Sequence, residues 1–179
     1  MLLPDLIAEF ERTKINDIIS SEFKHYLIYH GFFDVPASTK YHSSHEGGLF
    51  RHSLTVMNVL VELSRKNNLK WKRDESPFIL GMFHDLCKID QYYHATDEDS
   101  SESWGYNSET LFNGHGIKSV VLLSQYMTLT EEEAACIVYH MGAFTPKGEW
   151  ENYTRAVSLF PNVLWTHHAD MIATYVFKL

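Results

Sequence analysis

The fold is decided by residues 76–88, which read SPFILGMFHDLCK. Ser76 followed by Pro77 is typical of a helix start, with serine as the N-cap and proline at the first helical position. The residues that follow are apolar on nearly every side, so the pattern predicts a central, buried helix. His84 and Asp85 interrupt the apolar sequence, and burying an ionisable pair is costly unless a charge or a hydrogen bond compensates it.

Helical patterns flank this stretch on both sides. Apolar residues recur at three- and four-residue spacing and predict helices over residues 5–29, 48–67, 115–126, 130–142 and 161–177. The polar, acidic and aromatic sequence from 89 to 114 predicts a long loop, and strands are hard to place anywhere. We therefore expect an all-α fold, a compact helical bundle in one domain over residues 1–179. Residues 1–46 would form an N-terminal helix and loop, and residues 47–179 a metal-binding helical core.

The composition limits the functions that the chain can have. A formal net charge of −8 argues against a large nucleic-acid interface, which needs clustered basic residues. No apolar run is long enough to span a membrane, and the N-terminus lacks the features of a signal peptide, so we expect a cytoplasmic protein. Cys87 and Cys136 are predicted to be buried small hydrophobes, and their number excludes a zinc site built from cysteines. The oligomeric state is not indicated.

Histidines and carboxylates at core-facing positions are the candidates for chemistry. His52 shares a helical face with apolar residues, and a carboxylate in the middle of the last helix, Asp170, needs a cation or several donors. Each has a plainer explanation, because a lone buried histidine is often a satisfied core or capping residue. Taken together, the residues favour a metal site. The candidates are His52, His84, Asp85, His115, His140 and Asp170.

Five ordered blocks of sequence resemble the HD-domain superfamily of metal-dependent phosphohydrolases. They are GGLFRHSL (47–54), FHDLCK (83–88), GHGIKS (114–119), YHMGAF (139–144) and HADM (168–171). The resemblance implies an HD-domain bundle with a metal site between core helices. It places the first set of ligands on His52, His84, Asp85 and Asp170. Members with two metals add two intermediate histidines, which fall here on His115 and His140.

This ligand set predicts one or two divalent transition-metal ions. Imidazoles and carboxylates without a thiolate suit Mn, Fe, Co, Ni or Zn. Two ions bridged by Asp85 could generate a hydroxide nucleophile and hold a phosphate for in-line attack. With one ion, His115 and His140 would instead position phosphate or shuttle protons. The resemblance implies catalytic roles for Asp85 and Lys88, with Lys88 contacting a substrate phosphate, although a solvated cation at a helix end would also explain this lysine.

Three functional hypotheses follow. The leading one is a phosphomonoesterase or phosphodiesterase that acts, through a metal-activated hydroxide, on a nucleotide or another small phosphorylated metabolite. The alternatives are a di-iron oxygenase of a small polyol or phosphonate, and a non-catalytic nucleotide-binding module. Aromatic residues between Tyr92 and Glu109 could form a lid that stacks a nucleobase, although a solvated loop explains the acidic run Asp97–Asp99 more simply. Arg51 and His42 are lesser candidates for supporting roles.

Overall fold

Helices make up most of the protein in this computed structural model, which describes residues 2–38, 45–95, 103–110 and 114–177. Short 3-10 segments cover Leu86–Asp90, Gly142–Phe144 and Lys147–Glu149, and a π-helical turn, Ala173–Phe177, follows the last α-helix. The predicted helical class is confirmed. Within the described ranges the α-helices are α1 (Leu3–Glu11), α2 (Lys14–Ile18), α3 (Ser21–Tyr29), α4 (Gly48–Asn67), α5 (Ser76–Phe83), α6 (His115–Leu123), α7 (Glu131–Val138), α8 (Trp150–Leu159) and α9 (Asn162–Ile172).

The expected absence of strands is wrong. The segment predicted as a long loop contains β1 (Tyr92–Ala95) and β2 (Ser103–Tyr106), an antiparallel pair in which Tyr92 lies opposite Tyr106. Aromatic side chains favour extended backbone, but the acidic residues around them hide this signal in the sequence. Residues 96–102, with the acidic run, lie outside the described ranges, so the lid stays a prediction.

The central helix is shorter than predicted. It begins at Ser76, whose hydroxyl donates a 2.8 Å hydrogen bond to the Glu133 carboxylate, and the N-cap is the preceding residue. It ends at Phe83 instead of continuing to residue 88, and the backbone resumes as a 3-10 segment. The helix is buried, as predicted. His84 and Asp85 therefore lie at the junction between two helix types.

The single helix predicted for residues 5–29 is in fact three helices, α1 to α3. Polar side chains mark the breaks between them. The Thr13 hydroxyl donates to the carbonyl of Phe10 over 2.6 Å, and the Ser20 hydroxyl accepts from the backbone N–H of Phe23 over 3.1 Å. Such local hydrogen bonds compete with continuous helix and favour caps.

The second half of the chain differs from the predictions at helix ends and in one additional helix, α8. Thr130 and Glu133 form the predicted capping box at the start of α7, with hydrogen bonds of 3.2 and 2.9 Å. Helix α6 ends at Leu123 and α7 at Val138, three and four residues before the predicted ends at 126 and 142. Helix α8 was not predicted, because only Ala156 of its ten residues is buried.

Two glycines bring helices into backbone contact. A Cβ atom on Gly81 would overlap the backbone of Met57, so α5 lies directly against α4. A Cβ atom on Gly116 would overlap the backbone of Val138, which brings α6 equally close to α7. Only glycine permits such an approach without displacing a helix. Each of these helix pairs carries two of the candidate histidines.

Aromatic side chains fill the core beneath these helices. The largest fully buried ones are Phe10, Phe23, Phe32, Phe33, Phe50 and Phe83. Across the described ranges, no helix combines the length and the apolar character that crossing a membrane requires.

Candidate metal centre

Three elements bring four of the predicted ligands together. His52 projects from α4, His84 and Asp85 follow the end of α5, and Asp170 belongs to α9. The Nε2 atom of His52 is 3.2 Å from Asp170 Oδ1 and 3.9 Å from Asp85 Oδ2. The Nε2 atom of His84 is 3.5 Å from Asp85 Oδ2 and 4.0 Å from Asp170 Oδ1. All four side chains are buried.

His140 approaches the same carboxylates from the end of α7. Its Nε2 atom is 3.5 Å from Asp85 Oδ1, and its Nδ1 atom is 2.7 Å from the carbonyl oxygen of Ile137. Burial lowers the pKa of His140, but the hydrogen bond to Asp85 and the charge of that carboxylate outweigh it, so the pKa is raised. We refer to His52, His84, Asp85, His140 and Asp170 as the His/Asp cluster.

The orientation of His84 leaves one of its ring nitrogens facing the carboxylates. His84 Nδ1 is 3.1 Å from the carbonyl oxygen of Gly81, and because a carbonyl only accepts, Nδ1 must carry the proton. Burial lowers the pKa of His84 to about 4, so the ring is neutral at pH 7 and Nε2 presents a lone pair. Within the described part of the chain this buried Nε2 has no hydrogen-bond partner. A lone pair that faces carboxylate oxygens is unfavourable unless a cation lies between them.

The two carboxylates are held in their charged forms. Burial acts to raise the pKa of Asp85, but Lys88 and, to a smaller extent, His84 lower it by more than burial raises it. The net pKa therefore lies well below the usual range. Lys88 Nζ is 2.6 Å from Asp85 Oδ2, and the lysine is only 9% exposed. The pKa of Asp170 is also lowered, because the hydrogen bond from His52 and the nearby imidazoles outweigh the effect of burial. Two buried, ionised carboxylates need compensating positive charge.

A second group of donor atoms shares Asp85. One carboxylate oxygen of Asp85, the sulfur of Cys87 and one nitrogen of His115 all lie within 4.8 Å of one another. Cys87 Sγ is 3.6 Å from His115 Nδ1, and the Cys87 backbone N–H donates to the Ser119 hydroxyl over 3.1 Å. We refer to Asp85, Cys87 and His115 as the Cys87 cluster. His115, a predicted ligand, lies in this group.

Cys87 was missed by reasoning from sequence. It was assigned to the apolar core, and it is buried. The count of two cysteines excludes only sites with several thiolates; it does not exclude one thiol beside histidine and aspartate. Its position two residues after Asp85 was the available signal, and no helical periodicity points to it.

Of the two lesser candidates, Arg51 is the one that the structure describes. His42 lies outside the described residues, and His45 is exposed, with Nδ1 2.9 Å from the carbonyl oxygen of Glu46. His167 Nδ1 lies 2.7 Å from the carbonyl oxygen of His140, so His167 supports the backbone that carries this histidine. Arg51 is partly buried on α4.

The side chains present fit a divalent transition metal. Ligand bonds of about 2.0–2.2 Å to a tetrahedral cation place neighbouring donor atoms roughly 3.2–3.6 Å apart. Three of the five separations in the His/Asp cluster, at 3.2, 3.5 and 3.5 Å, fall in this range, and the other two, at 3.9 and 4.0 Å, are slightly longer. Nitrogen donors mixed with carboxylate oxygens suit such metals better than calcium or magnesium. Comparison of the chain with models of protein families, with curated proteins and with solved structures finds no significant match.

Proposed function

We propose that the protein is an HD-type, metal-dependent phosphohydrolase that acts on a small phosphorylated metabolite such as a nucleotide. The observation that carries the proposal is the buried lone pair of His84 Nε2, which faces the carboxylates of Asp85 and Asp170. A bound divalent cation would turn this unfavourable arrangement into a ligand set. The sequence blocks that resemble the HD superfamily make hydrolysis of a phosphate ester the preferred reaction.

The roles of the residues follow from their contacts. His52, His84, Asp85 and Asp170 would hold the first cation, and His140 lies close enough to join them. A divalent cation in such a site supplies a Lewis acid and lowers the pKa of a water molecule that it binds. Asp85 would orient that water, because the Lys88 ammonium group holds its carboxylate ionised.

Lys88 is the group proposed to bind substrate. Its ammonium group lies against Asp85 at the edge of the cluster, and it retains some exposure. A phosphate oxygen that approached the cations would meet this positive charge and exchange part of its hydration for an ion-pair hydrogen bond. The proposal also includes a cytoplasmic location, which the two unpaired thiols Cys87 and Cys136 support.

The test is a phosphate-release assay on the full chain. Metal-free protein is loaded in turn with Mn, Fe, Co, Ni or Zn and given aryl phosphates, cyclic nucleotides and nucleoside phosphates between pH 6 and 9. We expect release of inorganic phosphate or of a monoester with at least one metal. His84→Gln should lose it, whereas His25→Gln, which changes an exposed histidine on α3, should not. Oxygen uptake by the iron form without phosphate release would instead indicate the oxygenase.

A further inference from the structure

The Cys87 cluster places a thiol beside two side chains of the proposed metal centre. We propose that Cys87 is a metal ligand, and that its sulfur, His115 and the shared Asp85 carboxylate hold a second divalent cation of thiophilic character. The inference rests on the proposed metal centre but not on the reaction that it catalyses. It changes the expected ligand set, which the sequence predicts to contain no thiolate.

The separation of the donor atoms supports this role. Cys87 Sγ lies 3.6 Å from His115 Nδ1. A tetrahedral zinc ion with bonds of about 2.3 Å to sulfur and about 2.0–2.1 Å to nitrogen holds these two atoms roughly 3.5 Å apart. A thiol–imidazole hydrogen bond would account for this distance alone. An Asp85 oxygen also lies within 4.8 Å of both atoms, so a carboxylate completes a set of three potential ligands.

Asp85 links the two groups. One of its neighbours is His84, whose buried Nε2 has no hydrogen-bond partner among the described residues. A carboxylate has two oxygens and can bind one cation with each, so a cation beside Cys87 is compatible with another beside His84. Two neighbouring divalent cations would also supply positive charge to the three negatively charged groups, the carboxylates of Asp85 and Asp170 and a Cys87 thiolate.

Cys136 shows that burial alone does not explain the surroundings of Cys87. Both thiols are buried, and burial raises the pKa of each to about 12. Within the described ranges, however, Cys136 belongs to no group of residues that could hold a metal, whereas Cys87 does. Cys136 therefore provides a matched control.

Binding of the cation would change only the protonation of Cys87. The S–H bond of Cys87 breaks, a sulfur–metal bond forms and the proton passes to solvent, with no change of oxidation state. A coordinating cation is enough to deprotonate a thiol. Because a thiolate favours soft metals such as zinc, whereas imidazole and carboxylate donors also suit iron, nickel or manganese, the two cation positions should differ in metal preference.

Cobalt titration of the metal-free full chain tests the assignment. A cobalt–thiolate bond produces a charge-transfer absorption band in the near ultraviolet, and we expect this band as the second equivalent binds. Cys87→Ser should abolish the band and weaken the second equivalent by at least about 10-fold, because even loss of an outer partner of a metal ligand costs roughly 10–100-fold. Cys136→Ser should retain the band.

X-ray absorption on the zinc-loaded wild-type protein needs no variant. We expect one sulfur scatterer at about 2.3 Å beside nitrogen and oxygen scatterers at about 2.0–2.1 Å. Cobalt binding without the band, or a zinc spectrum without sulfur, would overturn the role of Cys87 and leave the His/Asp cluster intact. A band that persists in Cys87→Ser would also overturn it. Failure of the wild-type chain to bind any cation would overturn this inference and the proposed metal centre together.

Discussion

Two buried groups of charged residues in this protein differ in how completely they are satisfied. Glu133 in α7 accepts hydrogen bonds from the Arg73 guanidinium at 2.7 and 2.8 Å, from the Ser76 hydroxyl at 2.8 Å and from the Thr130 N–H at 2.9 Å. We refer to these four residues as the Glu133 cluster. In the His/Asp cluster, by contrast, the corresponding separations are mostly 3.5–4.0 Å, and one buried nitrogen has no donor to accept from.

The difference is the one expected between a structural group and the proposed metal site. Buried charges that serve stability are paired at hydrogen-bond distance, because an unpaired one costs several kcal/mol. Acceptor atoms of a metal site would gain their stabilisation only when a cation binds. Changes in the Glu133 cluster should therefore lower stability, and changes in the His/Asp cluster should lower metal affinity.

The largest expected effect is that of Asp85→Asn. This change removes a negative charge that both proposed cation positions share. Metal affinity and metal-dependent turnover should each fall at least about 100-fold, because loss of even an outer hydrogen-bond partner of a metal ligand costs up to about 100-fold. Isothermal titration with Mn or Co measures the affinity. The matched control is Asp90→Asn. Asp90 lies five residues after Asp85 in the sequence and forms an ion pair with Lys118. If Asp85→Asn bound metal with wild-type affinity, the contrast between the His/Asp cluster and the Glu133 cluster would no longer indicate a metal site.

Metal removal should have the next largest effect. A cation present at about 100 times its dissociation constant stabilises the folded state by about 2.7 kcal/mol. For a chain of this length that corresponds to a Tm difference of roughly 5–11 °C between metal-loaded and chelated protein. Scanning calorimetry would measure it. The shift should vanish in His84→Gln and persist in Glu133→Gln; a chelator that leaves the wild-type Tm unchanged would contradict the cation.

Glu133→Gln should reduce the free energy of unfolding by about 2 kcal/mol. The amide keeps the shape of the side chain but leaves Arg73 without its counter-charge. Breaking a fully buried ion pair costs roughly 3–5 kcal/mol, and the cost is lower here because the Arg73 guanidinium is partly exposed. Urea denaturation gives the value. Glu62→Gln, at an exposed pair with Arg65, should leave the midpoint unchanged. Equal effects of the two substitutions would show that burial of the Glu133 cluster does not matter.

Lys88→Met should act on substrate more than on metal. Loss of one ammonium–phosphate contact is expected to raise KM about 10-fold, or about 1.4 kcal/mol, with much less change in metal affinity. Steady-state kinetics on the best phosphorylated substrate would separate KM from kcat. Lys118→Met removes an equally buried lysine that pairs with Asp90 instead of Asp85, and it should leave KM near the wild-type value. The assignment of Lys88 fails if both variants behave alike.

The smallest effect concerns pH. In the metal-free protein the pKa of His84 is lowered to about 4 and that of His140 is raised. The neutral His84 ring contributes to the free energy of unfolding above about pH 6.5, and this contribution is lost as the pH falls through about 4. His140 has the opposite effect, because its contribution is present at low pH and is lost as the pH rises through its raised pKa. The opposing signs should leave a small net dependence. Imidazole resonances in NMR should titrate separately, and coincident titration near pH 6.5 would be the contrary result.

Sequence periodicity predicted the helices that carry the site, because α4 and α9 each have a continuous apolar face. It could not predict the division of the N-terminal segment, where Thr13 and Ser20 make local hydrogen bonds that compete with the helix. It also missed β1 and β2, whose pairing depends on contacts between residues that are eight to fourteen positions apart in the sequence.

Chemistry alone indicates that the buried ionisable residues need partners, whereas the grouping of His52, His84, Asp85 and Asp170 is what the resemblance to the HD superfamily implies. The involvement of Cys87 was predictable from neither. In a continuous α-helix Cys87 would point about 200° away from Asp85. The change to a 3-10 segment after Phe83 alters this direction and brings both donor atoms near His115.

The close approaches at Gly81 and Gly116 have a consequence for the spacing of the proposed metal ligands. Backbone contact sets a fixed lower limit on the distance between the two helices of each pair, so main chain and not adjustable side-chain packing defines this distance. A single added methyl group at either glycine would displace one helix of the pair and separate the histidines that the pair positions. The spacing of the proposed ligands thus depends on two residues that lie outside the ligand set.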